Sequence, residues 1–214
     1  MSGTPESLVD AVAASGMDDA LLLDAFRAIP RAEFVPEGLR HLAYQDRPVP
    51  ISHDQVTTQP SLSAMMIEAL EIASSSRVLE VGTGLGFQTA LLARLAERVV
   101  TIEVWKDLAG EARANLDAQR IANVETHVGD GTLGVPGAAP FDAVLVSAAF
   151  PEVPDPLAEQ LVEGGRLVQP IGSGGNEMVT LFRKTGGTLE RVRPITPARF
   201  VRLVGREAFP PEER

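Results

Sequence analysis

The residues whose types and spacing could do chemistry are the glycines and carboxylates between positions 78 and 131. In VLEVGTGLGFQ, Gly82, Gly84 and Gly86 follow an apolar run and precede a helical pattern. Such a turn accommodates positive φ and lets a ligand touch bare backbone. Glu80 stands inside the apolar run, Glu103 closes the next one (RVVTIE), and Asp130 follows a third in GDG. An acid at a strand end accepts hydrogen bonds from ribose hydroxyls. A carboxylate amid apolar neighbours is costly unless paired, so Glu80 is expected to meet a cationic ligand or the N–H groups of the glycine turn. Ribose and positive charge without phosphate describe S-adenosylmethionine, and Asp130 is then expected to face its adenine amino group. The dinucleotide fingerprint places its third glycine one position later, where Phe87 stands, which disfavours nicotinamide and flavin.

Other chemistry is excluded or unsupported. There are no cysteines, hence no disulfide, thiolate zinc site or cysteine nucleophile. His41, His53 and His127 lie apart in no ligand spacing, read as surface or loop histidines, and no metal is expected. No Ser/His/Asp or paired-carboxylate constellation stands out. The formal net charge of −10 repels phosphate backbones and argues against a nucleic-acid substrate. Arg191, Arg193, Arg199, Arg202 and Arg206 crowd the C-terminal region, either as a solvated strand face or as a rim attracting an acidic substrate.

The elements that must position these residues form an alternating series. RVLEV, RVVTIE, NVETHVG and FDAVLVSAA read as strands, with helices over 86–96 and 106–119 between them. A helix over VPDPLAEQLVEGG is expected to end at Gly164 and Gly165. MVTLFRK, TLERVRPI and ARFVRLVG read as hairpin-like strands. The expected fold is α/β: a Rossmann-like, doubly wound, mostly parallel sheet with an antiparallel C-terminal edge. Two short helices over 5–29 form an N-terminal cap, and a helix is expected over 60–73. The proline-rich stretch 30–60 is long and irregular, which usually marks function. The chain is expected to be one unit over 1–214, with 1–60 on the substrate side and 61–214 as the cofactor-binding core. Hydrophobic residues make up 44%, enough for a real core. The start MSGTPESLVD lacks a basic n-region, and no apolar run reaches membrane-spanning length, so a soluble cytoplasmic protein is expected.

E80-V-G-T-G-L-G-F-Q88, G129-D-G131 and PFDAVLVSAA resemble the class I methyltransferases. With IPRAEFVP (29–36), AYQDRPVPI (43–51), EVPDPLAEQLVEGGRLVQPIG (152–172) and ARFVRL (198–203), nearly the whole chain is similar to the protein-L-isoaspartate (D-aspartate) O-methyltransferases. The resemblance implies S-adenosylmethionine bound by Glu80, Gly82, Thr83, Gly84, Gly86, Gln88, Glu103, Val104, Asp130 and Gly131. It implies an isoaspartyl protein or peptide as substrate, whose methyl ester collapses to a succinimide and so begins repair. The chain is expected to act as a monomer, with neither nucleic acid nor membrane as partner. Where the family reads G-Q-T-I-S-Q-P, this chain reads D54-Q-V-T-T-Q-P60. Thr58 thus replaces the serine implied to hold the substrate carboxylate and keeps its hydroxyl. A helix N-cap before Pro60 is the bland reading of Thr58. Asp54 and Val56 leave open a methyltransferase of the same fold acting on another carboxylate. Residues 199–203 are a candidate edge for pairing with peptide backbone. A carboxylate with a pKa of roughly 3–4 is already ionised at pH 7, so no general base is required.

Overall fold

A computed structural model of the chain describes residues 3–210; residues 1–2 and 211–214, the ends of the expected 1–214 unit, lie outside the described residues. Two short helices, α1 (Pro5–Ala14) and α2 (Ala20–Ala28), open the chain. A capping box between Thr4 and Ser7 starts the first, and Asp19 accepts from the N–H groups of Leu21 and Leu22 to start the second. The proline-rich stretch then forms two 3-10 turns (Arg31–Phe34 and Glu37–Leu42) and a small antiparallel hairpin, β1 (Val49–Pro50) with β2 (Val56–Thr57). The tip of that hairpin holds His53 and Asp54 at φ 59 and 56. Asp tolerates this left-handed region better than most residues, consistent with its standing where the family's motif has glycine.

Helix α3 (Pro60–Ala69) is shorter than the expected 60–73. Its first turn is capped from a distance, because Ser61 N–H donates to Asp46 Oδ1 (2.8 Å) and Gln59 Nε2 donates to Asp46 Oδ2 (2.9 Å).

The α/β core follows as β3 (Arg77–Val81), α4 (Phe87–Leu95), β4 (Arg98–Glu103), α5 (Lys106–Ala118), β5 (Val124–Val128), β6 (Phe141–Val146), α6 (Asp155–Glu159), β7 (Leu161–Ile171), β8 (Glu177–Thr185) and β9 (Thr188–Ala198). The seven-stranded sheet has the order β5-β4-β3-β6-β7-β8-β9. The first five are parallel, and β8 and β9 add the expected antiparallel edge. The chain enters at β3, winds outward to β5, then returns to β6 on the other side of β3. The strand order reverses at β3, and such a switch point opens a crevice at the strand C-termini.

Alternation along each central strand divides the core. Val78 and Val99 face the layer that contains α1 to α4, whereas Leu79, Val81, Val100 and Ile102 pack with Val144, Leu157 and Leu167 in the other. By the same period of two, Glu80 and Thr101, which are paired across β3 and β4, point toward α4.

Two expected elements differ. The helix after β6 stops at Glu159, and Gly164 and Gly165 lie inside β7. They occupy a bulge: Phe141 pairs with Leu161, but Ala143 pairs with Arg166. A Cβ on Gly165 would come within 2.9 Å of the Val162 carbonyl oxygen. The segment ARFVRLVG is not a strand of the sheet. It lies against Ala149, whose N–H donates to Val201 O (2.8 Å) and whose carbonyl accepts from Leu203 N (2.8 Å). The candidate peptide-binding edge at 199–203 is therefore already committed in part to the chain itself. Among the described residues, no helix is long and apolar enough to cross a membrane.

Candidate active site

The C-terminal ends of β3, β4, β5 and β6 open into one cavity of about 1180 Å³, roofed by the loop 51–58 and closed on one side by 201–206. Gly82, Thr83, Gly84 and Gln88 reach it from the β3–α4 turn, Glu103 and Val104 from β4, and Asp130 and Gly131 from β5. Thr58 reaches it from the proline-rich segment. Residues far apart in sequence, all expected at the site, thus share one wall-to-wall space.

The glycine turn is built around Glu103. Gly84 N–H donates to Glu103 Oε2 (2.9 Å), and Trp105 N–H donates to Oε1 (3.1 Å). Burial pushes the Glu103 carboxyl pKa up, against the pull of these backbone donors. Each oxygen keeps a lone pair for a further donor, as a diol requires. Gly82 and Gly84 have φ of 95° and 55°, and a Cβ on Gly84 would meet Ile51 at 3.7 Å. Glycine here lets the backbone turn beneath the loop that covers it.

Asp130 behaves first as a local cap. Its Oδ1 accepts from the Thr132 N–H (3.0 Å) and hydroxyl (2.6 Å), and its Oδ2 accepts from Arg206 N–H (2.7 Å). Burial raises its pKa, but the Thr132 hydroxyl and the Arg206 and Thr132 N–H groups outweigh that and hold it low. The carboxylate therefore stays charged, ties the C-terminal segment to β5 and still borders the cavity. A Cβ on Gly205 would lie 2.1 Å from Asp130 Oδ1, so this contact dictates glycine at 205. Gly131 is fixed by packing as well, because a Cβ there would lie 2.5 Å from Val81 Cγ1.

Glu80 does not reach the cavity and does not meet the glycine turn. It is fully buried and accepts from Thr89 Oγ1 (2.5 Å), Thr101 Oγ1 (2.8 Å) and Gln88 Nε2 (3.2 Å). Burial pushes its pKa up to about 7 despite these three donors. Its compensation is thus intramolecular, and the expected contact with a cationic ligand is replaced by a network anchoring α4 to β3 and β4. Gln88 extends that network to the cavity, since its Nε2 also donates to Ser147 Oγ (2.8 Å) at the end of β6. Gly86 is likewise outside the cavity wall. Its N–H is bonded to Thr83 O (3.0 Å), and its φ of 92° with Ala112 and Leu116 close by makes it a packing glycine against α5.

Thr58 is not a helix cap; Gln59 occupies that position in α3, and Asp46 supplies the acceptor. His53, read from sequence as a bland loop histidine, lines the cavity. Its ring stacks on Trp105 (centroids 4.0 Å apart, planes 3° from parallel), and Nε2 lies 2.7 Å from Asp107 Oδ2. These contacts fasten the hairpin tip to the start of α5. The arginine cluster divides: Arg202 and Arg206 border the cavity, while Arg191 and Arg193 lie exposed on the edge strand β9. No sequence spacing pointed to His53 or Trp105, because their meeting depends on the hairpin folding back across the sheet.

Comparison with known proteins places the chain in a family. The model of the family described as protein-L-isoaspartate (D-aspartate) O-methyltransferase matches residues 4–208. A protein-L-isoaspartate O-methyltransferase of Methanoculleus marisnigri is 47% identical over 91% of this chain and 88% of its own length. That of a Roseiflexus species is 44% identical, covering 96% and 94%. A solved structure of a protein-L-isoaspartate O-methyltransferase superposes with a TM-score of 0.85 at 29% identity, covering 96% of this chain and 67% of the other. The putative enzyme of that name from Plasmodium falciparum, solved with S-adenosyl-L-homocysteine, has a TM-score of 0.78 at 24% identity, covering 92% and 97%, and shares the fold.

Proposed function

The chain belongs to the protein-L-isoaspartate (D-aspartate) O-methyltransferase family, and from that premise we propose that the cavity at the ends of β3 to β6 is its active site. The enzyme uses S-adenosylmethionine to methylate the free carboxylate of L-isoaspartyl residues in damaged proteins and peptides. The observation that carries the site assignment is that Thr58, from the proline-rich segment, and Glu103, from the end of β4, face one cavity.

The residues present suit the methyl donor. The turn at Gly82 and Gly84 exposes backbone, while the acids Glu103 and Asp130 give acceptors where a ribose and an adenine amino group need them. Thr83, Gln88, Val104 and Gly131 complete that wall. S-adenosylmethionine supplies, when bound, a methyl group already activated by the positive sulfur that carries it.

The chain's own work is alignment and exclusion of water. The Thr58 hydroxyl donates one hydrogen bond to the substrate carboxylate, which fixes its direction and leaves the second oxygen free to attack. The hairpin, held down by His53 on Trp105 and by Ile51 over Gly84, covers the reacting atoms. No side chain has to remove a proton, because the carboxylate arrives ionised. In keeping with this, the cavity presents the hydroxyls of Thr57, Thr58, Thr83 and Ser147 amid mostly apolar walls.

Residues 1–60 form the substrate side and 61–214 the cofactor side of one unit. The enzyme works as a monomer in the cytoplasm on peptide rather than nucleic acid, in keeping with its net charge of −10. Asp54 on the cavity wall favours a second reading, the same chemistry on a different carboxylate. Incubation with methyl-labelled S-adenosylmethionine and a matched pair of isoaspartyl and aspartyl peptides separates the two. Base-labile label on the isoaspartyl peptide alone is expected; label on neither removes the isoaspartyl assignment.

A further inference from the structure

Arg31 is a fully buried cation outside the cavity wall. Its Nη1 donates to the carbonyls of Ala43 and Gln45 (both 3.0 Å). Its Nη2 donates to the Arg47 carbonyl (3.0 Å), to Thr57 Oγ1 (2.9 Å) and, at 3.5 Å, to the Thr58 carbonyl. The guanidinium carbon lies 5.6 Å from the centre of the Phe87 ring, and Nε is buried without a partner. Every acceptor these nitrogens reach among the described residues is neutral. Asp46, whose charge favours the cation, spends its own oxygens on Ser61 and Gln59. Burying a cation among neutral dipoles is expensive, and burial lowers the Arg31 pKa to about 10, so it still carries its charge at neutral pH.

Thr57, Thr58 and Phe87, which Arg31 touches, all line the cavity. We propose that Arg31 is a positioning residue for the substrate: its fork sets the Thr57–Thr58 backbone against Phe87, and its buried charge draws the substrate carboxylate to the Thr58 hydroxyl. One planar donor set joins three separate sequence segments, 29–36, 43–51 and 54–60. The inference rests on the carboxylate being the substrate. Methyl transfer consumes the negative charge of the carboxylate, so the field of Arg31 favours the bound anion more than the neutral ester. Its removal is therefore felt in peptide binding before it is felt in turnover.

The test is steady-state kinetics of Arg31→Lys, which keeps a positive charge and loses the fork, beside Thr57→Val, which removes a single acceptor. Arg31→Lys is expected to raise the KM for an isoaspartyl peptide about tenfold, the size of one lost charge-assisted hydrogen bond. S-adenosylhomocysteine affinity by calorimetry stays within about twofold of wild type, since no donor-side contact changes. Thr57→Val, which loses the charge-assisted bond from Arg31 and the bond from Val49 N–H, also raises the peptide KM about tenfold, and decides the matter if the lysine variant does not fold. An unchanged KM with kcat and melting temperature falling together would overturn the proposal and leave Arg31 purely structural. Equal weakening of peptide and S-adenosylhomocysteine would overturn it too. Wild-type enzyme without turnover on the isoaspartyl peptide would instead remove the functional premise.

Discussion

The Gly84 N–H donates to Glu103 Oε2 across 2.9 Å and ties the turn after β3 to the end of β4. One carboxylate thereby shapes the turn that must accept a ligand and presents the oxygens that must hold it. Replacing Glu103 with Ala removes both functions and strands the N–H groups of Gly84 and Trp105. The expected cost in S-adenosylhomocysteine affinity is about 10- to 100-fold, from one or two lost buried hydrogen bonds. Isothermal calorimetry reads it directly; affinity equal to wild type would place the ribose elsewhere.

Thr58 is expected to matter through its hydroxyl alone. Thr58→Val keeps the shape and should lower kcat/KM on an isoaspartyl peptide about 10- to 100-fold, whereas Thr58→Ser should stay close to wild type. If the valine variant turns over normally, the carboxylate is oriented by another donor.

Glu80 predicts a pH dependence of stability. Its folded pKa is raised from 4.5 to about 7, so the native state holds a proton that the unfolded state has released. The contribution of this group to stability is fully present below about pH 4.5 and is lost as pH rises through 7, by about 3 kcal/mol. Urea titrations between pH 5 and 8 should show that slope in wild type and lose it in Glu80→Gln. A slope unaltered by the substitution would mean that the folded pKa of Glu80 is not raised from its unfolded value.

Gly131 tests the packing beneath the site. A methyl group there would stand 2.5 Å from Val81 Cγ1. Gly131→Ala is therefore expected to destabilise the protein by about 1–3 kcal/mol, measured as a lower denaturation midpoint. Wild-type stability would show that β3 yields to the added methyl.

The sequence was most readable where chemistry follows from neighbours along the chain. Gly82, Gly84 and Glu103 were recognisable because turn and strand end are local features, and they line one cavity, although the Gly84 N–H goes to Glu103 and not, as expected, to Glu80. Glu80 was misplaced because its surroundings are not local. The period of two puts it on the face of Val78, toward α4, and only the fold brings Thr89 and Thr101 to its oxygens. Gly164 and Gly165 look like a helix stop in sequence, yet they make room for a bulge that appears only when β7 lies against β6. His53 carried no signal at all, since its partners Trp105 and Asp107 lie about a quarter of the chain away, Asp107 by 54 residues.

The most direct measurement is a crystal structure of the enzyme with S-adenosylhomocysteine and an isoaspartyl peptide. It should show ribose oxygens on Glu103, adenine beside Asp130, and the peptide carboxylate on the Thr58 hydroxyl with an oxygen facing the sulfur. A nucleoside bound away from Glu103, or a carboxylate held on the far side of the cavity from Thr58, would contradict the account.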